Sequence, residues 1–155
     1  MNILDVKILN PRIGSHVALP EIMTPGSAGM DLRYCPDNSD DDLSILEPGS
    51  RKMFETGISI HIKNPKFAGF IFPRSSLGYN HGIILANSVG VIDSDYQGPL
   101  KVALHNTTDV AFPIRTGDRI AQLVIMPVTQ CQFSIVSHHE VSERGEGGFG
   151  STGVS

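Results

Sequence analysis

Between Gly90 and Tyr96 the chain reads Gly-Val-Ile-Asp-Ser-Asp-Tyr, and this stretch has the residue types for chemistry. Val91 and Ile92 are β-branched and suit a buried strand, and Gly90 suits the turn before them. Asp93 would end that apolar run, where partial desolvation makes a carboxylate a better base. Tyr96 adds a flat amphipathic ring with a polar tip. By itself the segment is also an ordinary strand running into a polar turn with two solvated aspartates.

A second candidate is the glycine-rich end, Arg144-Gly145-Glu146-Gly147-Gly148-Phe149-Gly150-Ser151-Thr152-Gly153. Its one large apolar side chain cannot bury enough surface to order it, so it reads as a tail. Glycines let backbone amides approach an anion, and the arginine, phenylalanine and hydroxyls suit a tail closing over a phosphate-bearing ligand. The dinucleotide glycine pattern formally present there fails, because five residues after Gly150 cannot make a helix. The P-loop lysine position is Ser151, which removes that motif too. His138 and His139 are adjacent, so in a strand they face opposite ways and chelate poorly. The acidic run Pro36 to Asp42 lacks calcium-loop spacing and a closing bidentate glutamate, and reads as solvated loop.

Short strands are what must position these groups. Val6 to Leu9, Ala28 to Tyr34, Phe70 to Phe72, Gly82 to Ala86, Val91-Ile92 and Leu100 to Leu104 carry strand patterns. Ile58, Ile60 and Ile62 alternate with Ser59 and His61, which predicts one wet face with His61 outward. Ile120 to Met126 is a nearly continuous apolar run, expected of a strand buried on both faces. Phe133 to Val136 predicts another strand. One short helix fits near Ser75 to Gly78. Regular strand spacing with turn signals predicts an all-β sandwich or jelly roll in one domain.

The bulk numbers agree. Of 155 residues, 40% are hydrophobic and 18% charged, as in a globular domain; 16 glycines and 10 prolines favour strands and turns. A net charge of -4 provides no global field for nucleic acid, so an anionic ligand must be held locally. Cys35 and Cys131 read as small core hydrophobes in a reducing cytoplasm. No apolar run approaches membrane-helix length and no signal peptide is seen, so neither a membrane nor a nucleic acid is an expected partner.

Five stretches together resemble the signature motifs of the deoxyuridine triphosphatase (dUTP pyrophosphatase) family. They are Ala28-Gly29-Met30-Asp31-Leu32-Arg33, Pro73-Arg74-Ser75-Ser76-Leu77-Gly78, Gly90 to Gly98, Gly117-Asp118-Arg119-Ile120-Ala121-Gln122-Leu123, and Arg144 to Gly153. They follow the family's order and spacing across almost the whole chain, and the length suits its bacterial homotrimeric branch. The resemblance implies a β jelly roll or distorted barrel over residues 1–143. Residues 144–155 would be a flexible glycine-rich C-terminal arm closing over the active site.

The resemblance also implies roles. Asp93 would hold and deprotonate the water that attacks the α-phosphorus of dUTP, giving dUMP and pyrophosphate. That reaction supplies dUMP for thymidylate synthesis and keeps uracil out of DNA. Arg74, Ser75, Ser76 and Gln122 would bind phosphates, with Ser76 reaching them through its backbone, since relatives often have glycine there. Asn87 with the backbone at Val91 and Ile92 would read the uracil edge. Tyr96 would pack on the sugar and exclude a ribose hydroxyl, and Lys101 lies where relatives contact substrate. Phe149 would stack on uracil while Arg144, Ser151 and Thr152 reach phosphates. Mg²⁺ would be held by the substrate phosphates, with Asp31 approaching it through water or simply capping a turn. In relatives each site is shared between subunits of a homotrimer. Three rivals stay open: a dCTP deaminase on the same fold, a non-catalytic nucleotide binder, and a structural jelly roll.

Overall fold

In the computed structural model, residues 4–38, 42–142 and 145 are described. Ten strands and one helix follow in order: β1 (Asp5–Ile8), β2 (Met30–Arg33), β3 (Leu43–Leu46), β4 (Arg51–His61), β5 (Phe67–Phe72), α1 (Ser75–His81), β6 (Ile83–Leu85), β7 (Gly90–Ile92), β8 (Pro99–Asn106), β9 (Phe112–Arg115) and β10 (Arg119–Pro127). One four-stranded sheet runs β1-β4-β8-β6, a second β2-β10-β5-β7, and β3 pairs with β9. Every one of these pairings is antiparallel. The fold is the all-β jelly roll expected from the strand spacing.

Alternation builds the core. Leu100, Val102 and Leu104 of β8 point inward, beside Phe54, Ile58 and Ile60 of β4. Leu32, Ile71, Ile120 and Leu123 come from the other sheet, so both sheets bury apolar faces in one cluster. Asn106 ends β8 fully buried and fully partnered. Its amide donates to Leu46 O (3.0 Å) and Val110 O (2.8 Å), and its Oδ1 accepts from Thr108 N at 3.0 Å and Thr108 Oγ1 at 2.8 Å.

β4 departs from its predicted wet face. Ser59 is buried and His61 is half-buried. The register of β4 against β8 also shifts between Glu55 and Ser59, around Gly57 with φ 71°. A side chain at Gly57 would meet Cys35 Sγ at 3.0 Å, and its carbonyl instead accepts from Leu9 N and Asn10 N. No residue from Ile120 to Met126 is exposed, as the apolar run predicted, because β10 lies between β2 and β5. Beyond β10, Phe133 to Val136 pairs with no strand among the described residues. The strand predicted there is absent, and Phe133 and Ile135 are about fully exposed. Cys35 is core as expected, but Cys131 is exposed on this segment. The predicted short helix is present and extends to His81. Among the described residues no helix is long and apolar enough to cross a membrane.

Candidate active site

Two groups of predicted residues form, at opposite corners of one sheet. The first is built where β5 ends and Pro73 breaks the ladder. Arg74 occupies the N-cap position of α1 with extended backbone (φ -91°, ψ 133°), and Ser75 and Ser76 follow, exposed, in the first helical turn. The Arg74 side chain turns back along the sheet. Its Nε donates to Asp31 Oδ1 at 2.9 Å, and its Nη1 to the Arg119 carbonyl at 3.3 Å. Arg119 Nη1 donates to the other oxygen, Asp31 Oδ2, at 3.1 Å. Gln122 stands directly between Asp31 and Phe72 in the ladder, and its Nε2 donates to Pro73 O at 2.9 Å. Asp31, Arg74 and Gln122, far apart in sequence, are thus one cluster, and Arg119 joins them unforeseen. Its only signal was a cation within the same motif as Gln122.

The second group surrounds a cavity of about 410 Å³ lined by Met53, Val91, Ile92, Asp93, Tyr96, Pro99 and Lys101. β7 delivers Val91 and Ile92, and a turn closed by Tyr96 N on Asp93 O (3.2 Å) follows. Lys63 N donates to Ser94 O at 2.8 Å and holds the turn from outside. The Tyr96 hydroxyl donates to Pro99 O at 3.1 Å. Its ring lies where Gly98 would carry a side chain: an added Cβ would stand 2.4 Å from the Tyr96 oxygen. Lys101 Nζ lies 3.6 Å from Glu55 Oε1, directly across the β4–β8 ladder. Met53 reaches the cavity from β4 by a pairing with Ala103 that no local pattern announces.

Burial around Asp93 differs from expectation. Val91 is 61% exposed, Ile92 half-buried and Asp93 exposed, because β7 is an edge strand of only three residues. Within one protomer nothing strips the carboxylate of water. Asn87 is exposed on the turn that carries the chain from β6 in one sheet to β7 in the other, outside the lining of this cavity. Arg144, Phe149, Ser151 and Thr152 lie outside the described residues.

The separation of the groups follows from the sheet. Asp31 lies on β2 and Asp93 just beyond β7, three strand spacings away in the order β2-β10-β5-β7, or about 14 Å. Along the strands, Asp31 is level with Phe72, whereas Asp93 follows Ile92, which pairs with Gly69. Four residues at about 3.3 Å each add about 13 Å, so the two groups stand roughly 20 Å apart.

Comparison with known proteins is consistent across sequence and structure. The dUTPase family profile matches residues 15–153. The chain is 53% identical over 151 residues to the deoxyuridine 5'-triphosphate nucleotidohydrolase of Shewanella denitrificans, covering 97% of each. It is 55% identical over 150 residues to that of Albidiferax ferrireducens, again covering 97% of each. Among solved structures it resembles the dUTPase of Staphylococcus bacteriophage 80alpha with dUpNHpp, at TM-score 0.83 and 27% identity, covering 99% of this chain and 100% of that one.

Proposed function

This chain belongs to the dUTPase family, and from that premise we propose that it hydrolyses dUTP to dUMP and diphosphate. The observation that carries the reading is the single cavity gathering Val91, Ile92, Asp93, Tyr96 and Lys101, with Asp93 at its edge. Asp93 aims a water in line with the α-phosphorus and accepts its proton. The new P–O bond forms as the bond to the bridging oxygen breaks, and diphosphate leaves with that electron pair. The carboxylate acts chiefly by orientation, since an aspartate is a weak base at neutral pH.

Asn87 and the backbone at Val91 and Ile92 read the uracil edge. Cytosine would leave those groups unpaired, which discriminates strongly. Tyr96, held by Pro99 O and by the space at Gly98, presents its ring to the deoxyribose and excludes a ribose hydroxyl. Arg74, Ser75, Ser76 and Gln122 take the phosphates, joined by Arg144, Ser151 and Thr152 of the arm, while Phe149 stacks on uracil.

The roughly 20 Å between Asp93 and the Arg74 cluster is too far for one triphosphate to bridge within a protomer. It supports a homotrimeric assembly in which Asp93 of one subunit meets Arg74 of another. The arm, residues 144–155, would close over the joined site, and the neighbour would supply the desolvation that the edge position of β7 denies Asp93.

The donor set suits a Mg²⁺ carried in on the substrate. Both Asp31 oxygens already accept from guanidinium groups, and among the described residues no three His, Cys, Asp or Glu side chains group to hold a metal. Bound to the triphosphate, Mg²⁺ would offset its negative charge.

Diphosphate release from dUTP, measured beside dTTP, dCTP and UTP with and without Mg²⁺, tests the reading. Diphosphate from dUTP alone is expected. Ammonia from dCTP would make the protein a deaminase, and dUTP binding without turnover would make it a binder.

A further inference from the structure

We propose that Asp31 and Arg119 are positioning residues that set the direction of the Arg74 guanidinium, a role that rests on reading Arg74 as an oligophosphate ligand. Asp31 is placed for this by the ladder: it pairs with Gln122 on β10, which pairs with Phe72 two residues before Arg74. Its two oxygens are divided between two cations, Oδ1 with Arg74 Nε at 2.9 Å and Oδ2 with Arg119 Nη1 at 3.1 Å. The Arg119 main chain adds a third constraint, since its carbonyl accepts from Arg74 Nη1 at 3.3 Å. Gln122 fixes the peptide just before Arg74 through Pro73 O. Arg74 and Asp31 are both about four-fifths buried at the side chain, whereas Arg119 is 44% exposed.

The physical gain is preorganisation. An unrestrained arginine samples many rotamers and must be ordered by its ligand; one clamped beforehand has already lost that freedom. Among the described residues Arg74 Nη2 carries no hydrogen bond, so a donor is left for the ligand. One carboxylate against two guanidiniums also leaves a surplus positive charge, which an oligophosphate requires. The position is demanding of aspartate. Asparagine keeps one acceptor oxygen, which can serve one guanidinium while its NH₂ faces the other.

The test uses the full chain with D31N, R119Q, R74A and the D31N/R74A double variant. Titration calorimetry with dUpNHpp and with dUMP is run in Mg²⁺ and in EDTA, beside thermal denaturation. D31N and R119Q should each weaken dUpNHpp binding by about 10- to 100-fold and leave dUMP binding within about twofold. The loss should be the same with and without Mg²⁺, and D31N should add almost nothing in the R74A background. A D31N loss that appears only in Mg²⁺ would make Asp31 a metal contact and overturn the proposal. An equal loss in the R74A background would also overturn it. Should D31N fail to fold, R119Q carries the test from an exposed position, and unchanged dUpNHpp affinity there sinks the role. If R74A itself binds dUpNHpp like the unaltered chain, the phosphate reading beneath the proposal has failed, a result distinct from those above.

Discussion

Asp93 and Tyr96 share one four-residue turn but are held differently. Asp93 follows a three-residue edge strand and is exposed, so its usefulness depends on what covers it. Asp93→Asn keeps the shape and removes the proton acceptor. Turnover should fall by about 10²- to 10⁴-fold while dUpNHpp affinity stays nearly unchanged, as single-turnover and binding measurements would show. Tyr96 is fixed by Pro99 O and by the missing side chain of Gly98. Gly98→Ala must push the ring aside, so the ratio of kcat/KM for dUTP over UTP should drop, as it should for Tyr96→Ala. Competition between the two nucleotides reads this directly. The residue types at these positions were legible in the sequence; the exposure of Asp93 and the hold on Tyr96 were not, since both depend on which strand lies beside β7.

Strands announced themselves where one face was buried and one was wet. β8 was read from that alternation, whereas β5 and β10 were read from apolar runs covered on both faces. β3 and β9 pair with each other in a small separate sheet, and short segments with exposed Leu43 and Ile45 gave no usable period. Loops between elements are secured by polar side chains instead. Asn106→Ala would strand the Leu46 carbonyl and the Thr108 amide, while Val110 O keeps the Thr108 hydroxyl as a donor. A destabilisation of about 3 kcal/mol is expected in urea unfolding. Asp42, just before β3, accepts from Thr116 Oγ1 at 2.8 Å and pairs with Arg12. The Thr116 hydrogen bond first, and Arg12 second, hold its carboxyl below the usual carboxylate range. A lowered folded value means the contribution is present at neutral pH and is lost as pH falls through that value. Asp42→Asn should therefore lower the urea midpoint at pH 7, and the gap should close in acid.

At the scale of the molecule, the two halves of the proposed site sit at opposite corners of one sheet. This geometry makes a strong prediction. Asp93→Asn and Arg74→Ala chains, each nearly inactive alone, should regain activity when unfolded together and refolded at equal concentration. If every site takes Asp93 from one subunit and Arg74 from another, about a quarter of sites receive both intact. No recovery would place both residues in one subunit's site. The stretch after β10 bears on the same point. Phe133, Ile135 and Val141 are about fully exposed, a costly arrangement for a lone protomer and an ordinary one if a second copy covers them. Light scattering should accordingly give the mass of three chains.

The sequence by itself determined the residue types, their order and the alternating runs, and from these followed an all-β jelly roll with five motifs in register. Those features are local: a period of two, a proline that stops a strand, or a glycine at a turn is visible within a few residues. Tertiary structure alone decided that Asp31 lies between Arg74 and Arg119, that Met53 reaches the cavity, that Ser59 is buried, and that Phe133 to Val136 joins no strand. Each depends on the register between segments tens of residues apart, and one step of register turns every side chain to the other face.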